Sequence, residues 1–303
     1  MIFDDLVWKD HPGNPLIEPP GREFIIADPT FLPPDKTPDG KWHLFAHSLL
    51  GIHHYVSENG VRWTKHGKRL FGGMRPFLFA EDGKYALFYE RFYSPWRSVV
   101  AVRLSENLLE WGEPRNLVES TRRWQGAIAR NCGNPCVVKF EGRYRLYFSS
   151  GIVWLPDCGF PEPKYIGMAV SDKLTGPYRQ MPIPVISPDP FDRRRNMGAG
   201  AIKVIENPDG EGWIGFNNGI YRDGRGHSRS AISIVKSRDG VEWEYASDKP
   251  IIEPSGEGWK RSFVYALDVR HCGDGWRIYY NARDGWFRGR ECIGSATAET
   301  LME

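Results

Sequence analysis

Apolar residues in this chain fall in short runs, each ended by an Asp-Gly, Glu-Gly or Gly-Glu-Gly turn. One module recurs about five times: an apolar strand, such a turn, a second strand with Trp or Tyr near its start, and a third strand. The second strands read DGKWHLFAHS (39–48), DGKYALFYER (82–91), EGRYRLYFSS (141–150), GEGWIGFNNG (210–219) and DGWRIYYNAR (274–283). The third strands read GIHHYVS, SVVAVRLS, YIGMAVS, SAISIVKS and CIGSATA. β-branched and aromatic residues dominate them, and Gly- or Ser-rich turns bound them, so they read as strands. No segment sustains a helical period, which predicts an all-β chain with almost no helix.

A unit of this size cannot bury both faces of its sheet alone, so successive units must stack around an axis. The pattern predicts a five-bladed β-propeller in a single domain over residues 1–303. Its blades lie near 20–70, 71–120, 126–190, 196–254, and 260–299 plus 5–18. Inner strands precede the turns as DPTFL (28–32), RPFLF (75–79), NPCVV (134–138), GAIKVI (200–205) and YALDVR (265–270). Some copies add a Ser-x-x-Gly-x-x-Trp hairpin. The outer segment VEWEYASDKPIIEP (241–254) has a counterpart in LVWKDHPGNPLIEP (6–19) at the N-terminus. Blade five has no such segment after 292–298. The N-terminal strand is therefore expected to fill that place and remove an open edge.

Composition agrees with this reading. Aromatics make up 14% of the 303 residues, and 33 Gly and 23 Pro suit a chain that turns often. With 40 basic and 38 acidic residues the net charge is +2, so nothing predicts a nucleic-acid or membrane partner. The run Asp192-Arg193-Arg194-Arg195 is a local basic patch that reads as a solvated loop or, more sharply, as a place for an anionic ligand. Five cysteines without a Cys-x-x-Cys pair read as reduced core thiols rather than a zinc site. The segment MIFDDLVWKD lacks the basic and apolar regions of a signal peptide, and no apolar run nears the ~18 residues of a membrane span. A cytoplasmic protein is expected, its oligomeric state open.

In a propeller the inner strands start at one funnel, where chemistry should be sought. Asp28 begins the first inner strand, in Ala27-Asp28-Pro29-Thr30-Phe31. An Asp before Pro also caps turns, so its position alone leaves both roles open. Long segments at 151–164 and 184–198, rich in Pro, Trp and Arg, are candidates for lining a binding site.

Asp-Pro-Thr-Phe-Leu followed by Asp-Gly-Lys-Trp-His-Leu-Phe resembles the first blade of the five-bladed propeller glycosidases. These include glycoside hydrolase family 43, the invertases and levansucrases, and the mannoside phosphorylases of family 130. The resemblance implies Asp28 as catalytic base or nucleophile and a carbohydrate substrate. The chain departs from both families further on. Family 43 has a second Asp-Pro where Asn134-Pro135 stands, and a Glu general acid near a region that here reads Asn196-Met197-Gly198-Ala199-Gly200. The phosphorylases' Glu-Asp-Pro-Arg element corresponds to Gly73-Met74-Arg75-Pro76, and their Tyr-His-Gly phosphate element to Asn217-Asn218-Gly219. A divergent member of the superfamily is implied.

Glycoside hydrolysis usually takes two carboxyl groups, about 6.5–9.5 Å apart for inversion and about 5–5.5 Å for retention. Glu90 and Asp268 are the partner candidates for Asp28. Asp268 interrupts an apolar strand, where desolvation suits a general acid. Both also fit ion pairs with nearby arginines, and Asp192 and Asp284 are weaker choices. Arg75, Arg130, Asn131, Asn134 and His47 sit at strand ends and could bind sugar hydroxyls. Trp154, Tyr221 and Trp286 follow second strands and could stack on a sugar face, or pack in the core. The leading expectation is an inverting glycoside hydrolase acting on a small oligosaccharide or glycoside. Phosphorolysis and a non-catalytic carbohydrate-binding role are the alternatives. No oxygen-rich loop reads as an ion site, so neither a metal nor another cofactor is expected.

Overall fold

The computed structural model describes residues 3, 6–273 and 275–300, without the side chains of 299 and 300. The turn residue Asp274 and residue 5 of the 5–18 segment lie outside the described residues. β1 (Leu6–Asp10) comes first. One four-stranded meander follows: β2 (Ala27–Leu32), β3 (Trp42–Ser48), β4 (Gly51–Ser57) and β5 (Thr64–Lys65). A second holds β6 (Met74–Glu81), β7 (Lys84–Ser94), β8 (Arg97–Ser105) and β9 (Arg115–Val118). A third holds β10 (Cys132–Phe140), β11 (Arg143–Leu155), β12 (Phe160–Ser171) and β13 (Arg179–Gln180).

The remaining strands form one larger sheet built from two such meanders. Its halves are β14 (Ile202–Glu206), β15 (Trp213–Arg222), β16 (Ser228–Ser237), β17 (Glu244–Tyr245), and β18 (Phe263–Cys272), β19 (Gly275–Arg283), β20 (Glu291–Thr300) with β1. A single parallel bridge, Ser230 opposite Phe263, joins them. β1 lies antiparallel to β20, from Leu6 opposite Thr300 to Asp10 opposite Ala296. Ile17 and Ile252 hold equal places in the two matching segments, and each bridges a third strand, at Ile293 and Ile232. Among the described residues helix is confined to short 3-10 turns such as Pro34–Lys36.

First strands of successive meanders touch in the order β2, β6, β10, β14 and β18, and β18 touches β2. Buried side chains fill the spaces between sheets. Phe31, Trp42 and Leu44 of the first meander meet Tyr279 and Ile293 of the last, and Leu32 and Phe45 meet Leu78 and Leu87. Each sheet is covered on both faces, which explains strands such as Trp42–Ser48 that are buried throughout rather than alternating. The Ser-x-x-Gly turns are fixed by the serine hydroxyl, which accepts from the backbone N–H of Gly60 (3.0 Å) and Gly240 (2.8 Å). A tyrosine of the preceding sheet docks on such a turn: Tyr147 donates to the Gly240 carbonyl at 2.8 Å.

The segment 151–164, read from sequence as a loop, is instead the tip of a long β11–β12 hairpin. Val153 stands opposite Glu162 and Leu155 opposite Phe160. Leu155 is fully buried against Ile220 and Phe263, with Val153 and Phe160 beside it, and this apolar set ties the hairpin down. The 184–198 segment stays irregular, bridged at Ile186–Ile166 and Gly198–Ile220.

Candidate functional site

Three first strands begin with the same distortion. Asp28, Arg75 and Asn134 have φ of 51°, 54° and 46°, and each precedes a proline. Each sits in a bulge, at Ala27/Thr30, Met74/Phe77 and Gly133/Cys136. A left-handed non-glycine residue carries strain of order 1–3 kcal/mol, and such strain gathers at functional sites. Here the bulges gather the three side chains: Asn134 Nδ2 donates to Asp28 Oδ1 at 2.9 Å, and the Arg75 charge acts on Asp28.

A cavity of about 440 Å³ opens over Asp28 and Arg75. Asp28, His47, Arg75, Glu90, Glu162, Arg283 and Glu291 supply its ionisable lining. His47 Nε2 lies 2.8 Å from Asp28 Oδ2, while Nδ1 faces the Ser48 carbonyl at 3.1 Å. Asn281 Oδ1 accepts from the Asp28 backbone N–H at 3.0 Å. Burial alone would raise the Asp28 carboxyl. The hydrogen bond and charge of His47, with Arg75 and Lys203, outweigh it and hold Asp28 below the ordinary carboxylate value.

Two other carboxyls are pushed the opposite way. Glu162 comes from the β12 side of the long hairpin, and its pKa is raised to about 7. Burial is the main cause and the Asp28 charge adds to it, against the pull of Arg75, Tyr265 and Arg283. Glu291, at the start of β20, is raised to about 8, again by burial first and by Asp28 and Glu162 next. Asn281 donates to Glu291, and the Arg283 guanidinium lies 3.6 Å away.

Glu90 is committed differently. Arg75 pairs with it, Ser98 donates to it at 2.5 Å, and it is almost fully buried. Gly133 makes room for this carboxylate: a β-carbon there would clash with Glu90 Oε2. A small adjoining cavity of about 50 Å³ is bordered by Asp28, Asn134, Asn218, Asn281 and Glu291. The buried Asn134 Oδ1 lacks a hydrogen-bond donor, as does Asn131 Oδ1.

Of the residues singled out from sequence, Asp28, His47, Arg75, Glu90 and Asn131 line the larger cavity, and Asn134 the smaller. Asp268 does not reach either. It is buried lower on β18, accepting from Thr30 Oγ1 at 2.8 Å and the Phe31 N–H at 3.1 Å, with Arg270 at 3.0 Å. Its place is a clamp between first strands, not the cavity floor. Arg130 is exposed, its backbone bridged to the β7–β8 hairpin. Trp154 is exposed on the outer part of the long hairpin, outside the cavity lining. Tyr221 also lies outside that lining, and Trp286 packs on His227 and donates to the Ser228 carbonyl at 2.8 Å. Sequence reasoning missed Glu162, Glu291 and Arg283. Pro161-Glu162-Pro163, an acid between two prolines in a flagged segment, was the available signal for Glu162. Among the described residues no cluster of His, Cys, Asp and Glu is arranged to hold a metal.

No protein-family model and no curated protein matches this sequence. Solved structures do match over most of its length. One concerns the GH130 family of mannoside phosphorylases, which contains glycoside hydrolases that target β-1,2 mannosidic linkages in Candida mannan. It is 14% identical, with TM-score 0.69, over 95% of this chain and 93% of its own. The chain shares its all-β fold with this structure. The β-1,2-mannobiose phosphorylase from Listeria innocua is 14% identical, with TM-score 0.65, over 95% and 96% of the two chains. An N-acetylgalactosamine deacetylase from F. plautii is 12% identical, with TM-score 0.69, over 98% and 96%. These likenesses establish the fold, and a fold that hosts such different chemistries leaves function to the site.

Proposed function

We propose that this protein is a five-bladed β-propeller glycoside hydrolase, with Asp28 as general base and Glu162 as general acid. The observation that carries the reading is a pair of carboxyls in one cavity driven to opposite protonation states. Asp28 is held ionised, while Glu162 keeps its proton up to about pH 7. Carboxyls pushed apart in this way assign themselves to acid and base roles. The cyclic contacts of the five first strands support the five-bladed reading. Glu162 protonates the glycosidic oxygen as its bond to C1 breaks. Asp28 takes a proton from the water that attacks C1, leaving two hydroxyl products. An inverting course follows the family 43 resemblance, and proton NMR of the first-formed anomer tests it.

Phosphorolysis fits the charges less well. The Arg75 cation is already paired with Glu90. A phosphate dianion entering this cavity also meets Asp28. The test is a panel of pyranosides and furanosides in both anomers, incubated with and without phosphate. Release of reducing sugar at equal rates in both supports hydrolysis. Strict phosphate dependence would replace it with phosphorolysis, and binding without turnover would replace it with a lectin-like role.

A further inference from the structure

The cavity is divided by chemistry. Its ionisable groups are confined to the floor, but its mouth is apolar. The β3–β4 turn carries Leu49, the β7–β8 hairpin carries Phe92 and Trp96, and the β11–β12 hairpin carries Ile152; Phe24 completes the rim. These side chains are well exposed, Trp96 at 61% and Leu49 at 49%, although each borders the cavity. Exposed apolar groups scattered singly need no explanation, but several converging on one concave mouth mark a ligand-binding surface. Among the described residues, Asn131 is the one side-chain amide bordering the cavity. Aromatic faces such as Trp96 can stack on a sugar ring, but the aliphatic Leu49 and Ile152 beside it offer a glycan's hydroxyls no hydrogen-bond partner. The cavity of about 440 Å³ also falls toward the small end of the range for small-molecule sites, roughly 300–1,000 Å³.

We propose that this rim is an aglycone subsite, and that the substrate is a glycoside of an apolar alcohol or phenol rather than a longer oligosaccharide. The inference rests on the hydrolase reading of the floor. The floor holds one sugar unit by its hydroxyls, and the rim takes up the apolar group beyond the scissile oxygen.

The test first finds the accepted sugar with aryl glycosides, then measures kcat/KM for its methyl, propyl and hexyl glycosides and for its disaccharides. The alkoxide leaving groups in the alkyl series are of similar basicity, so chain length reports burial. Each methylene removed from water is worth roughly fourfold, so the hexyl-to-methyl ratio is expected to exceed about tenfold even with partial burial. Trp96→Ala, a change at an exposed side chain, is expected to draw that ratio toward one. A flat ratio in the wild-type protein, or disaccharides preferred over the hexyl glycoside, overturns the aglycone subsite and leaves the hydrolase standing. Failure to cleave any glycoside removes the hydrolase reading, and the subsite with it.

Discussion

Glu162 and Asp28 show how little of a residue's chemistry lies in the residue. Both are carboxyls on first or third strands, yet burial wins at one and neighbouring donors win at the other. Glu162 and Glu291 bind protons more tightly in the folded chain than the ordinary carboxyl of the unfolded one. Stability should therefore be greatest near pH 4–5 and fall as pH rises through about 7 and 8, where they ionise. Asp28 has the opposite sign, and its contribution is lost only as pH falls below the usual carboxylate range. Thermal melts from pH 5 to pH 9 check this: the midpoint should decline, and Glu162→Gln should make the decline shallower. Lys203 offers a second test. It is buried, donates to the Pro135 carbonyl at 3.0 Å beside left-handed Asn134, and its charge lowers Asp28. Lys203→Met should raise the Asp28 pKa and shift the acid limb of kcat/KM to higher pH; an unmoved limb would remove Lys203 from the account.

At the scale of elements, the site depends on where strands are deformed. The three bulges turn Asp28, Arg75 and Asn134 out of the ladder, and Gly133 lets the Glu90 carboxylate sit against β10. Gly133→Ala should push Glu90 away from Arg75, lowering the unfolding free energy by about 1–3 kcal/mol and activity with it. At the far side of the sheets, Gly240 has φ 74°, and a β-carbon there would lie 2.6 Å from both Tyr147 Oη and Arg145 Nη1. Gly240→Ala should destabilise by a similar amount yet leave kcat per folded molecule intact. Calorimetry with an active-site titration separates the two glycines.

For the whole molecule, β1 joins the first segment of the chain to the last. Phe3 is buried edge-on to Phe216 and Trp276, and Asp10 pairs with Lys260 and accepts from Tyr280 at 2.7 Å. Removing residues 1–12 should lower the melting temperature by on the order of 10 °C, since losing one buried Phe alone costs about 3–5 kcal/mol. This pairing was legible in sequence because two segments shared one pattern of Trp, Ile, Glu and Pro. Asp28's place on the cavity wall was legible because Asp-Pro opened a first strand. Asp268 was readable as buried, but its distance from the cavity was not, because that depends on how far each strand runs past its bulge. Glu162 was hidden because Pro-Glu-Pro reads as loop, and only the packing of Leu155 and Phe160 makes it a hairpin over the site.

The most direct test is the leaving-group dependence of two variants. Asp28→Asn should lose about 10²–10⁴-fold in kcat/KM on every glycoside. Glu162→Gln should lose as much on alkyl glycosides, whose oxygen needs a proton, but little on 2,4-dinitrophenyl glycosides, whose oxygen does not. An equal loss by Glu162→Gln on both substrates, or no loss by Asp28→Asn, would contradict the assignment of acid and base.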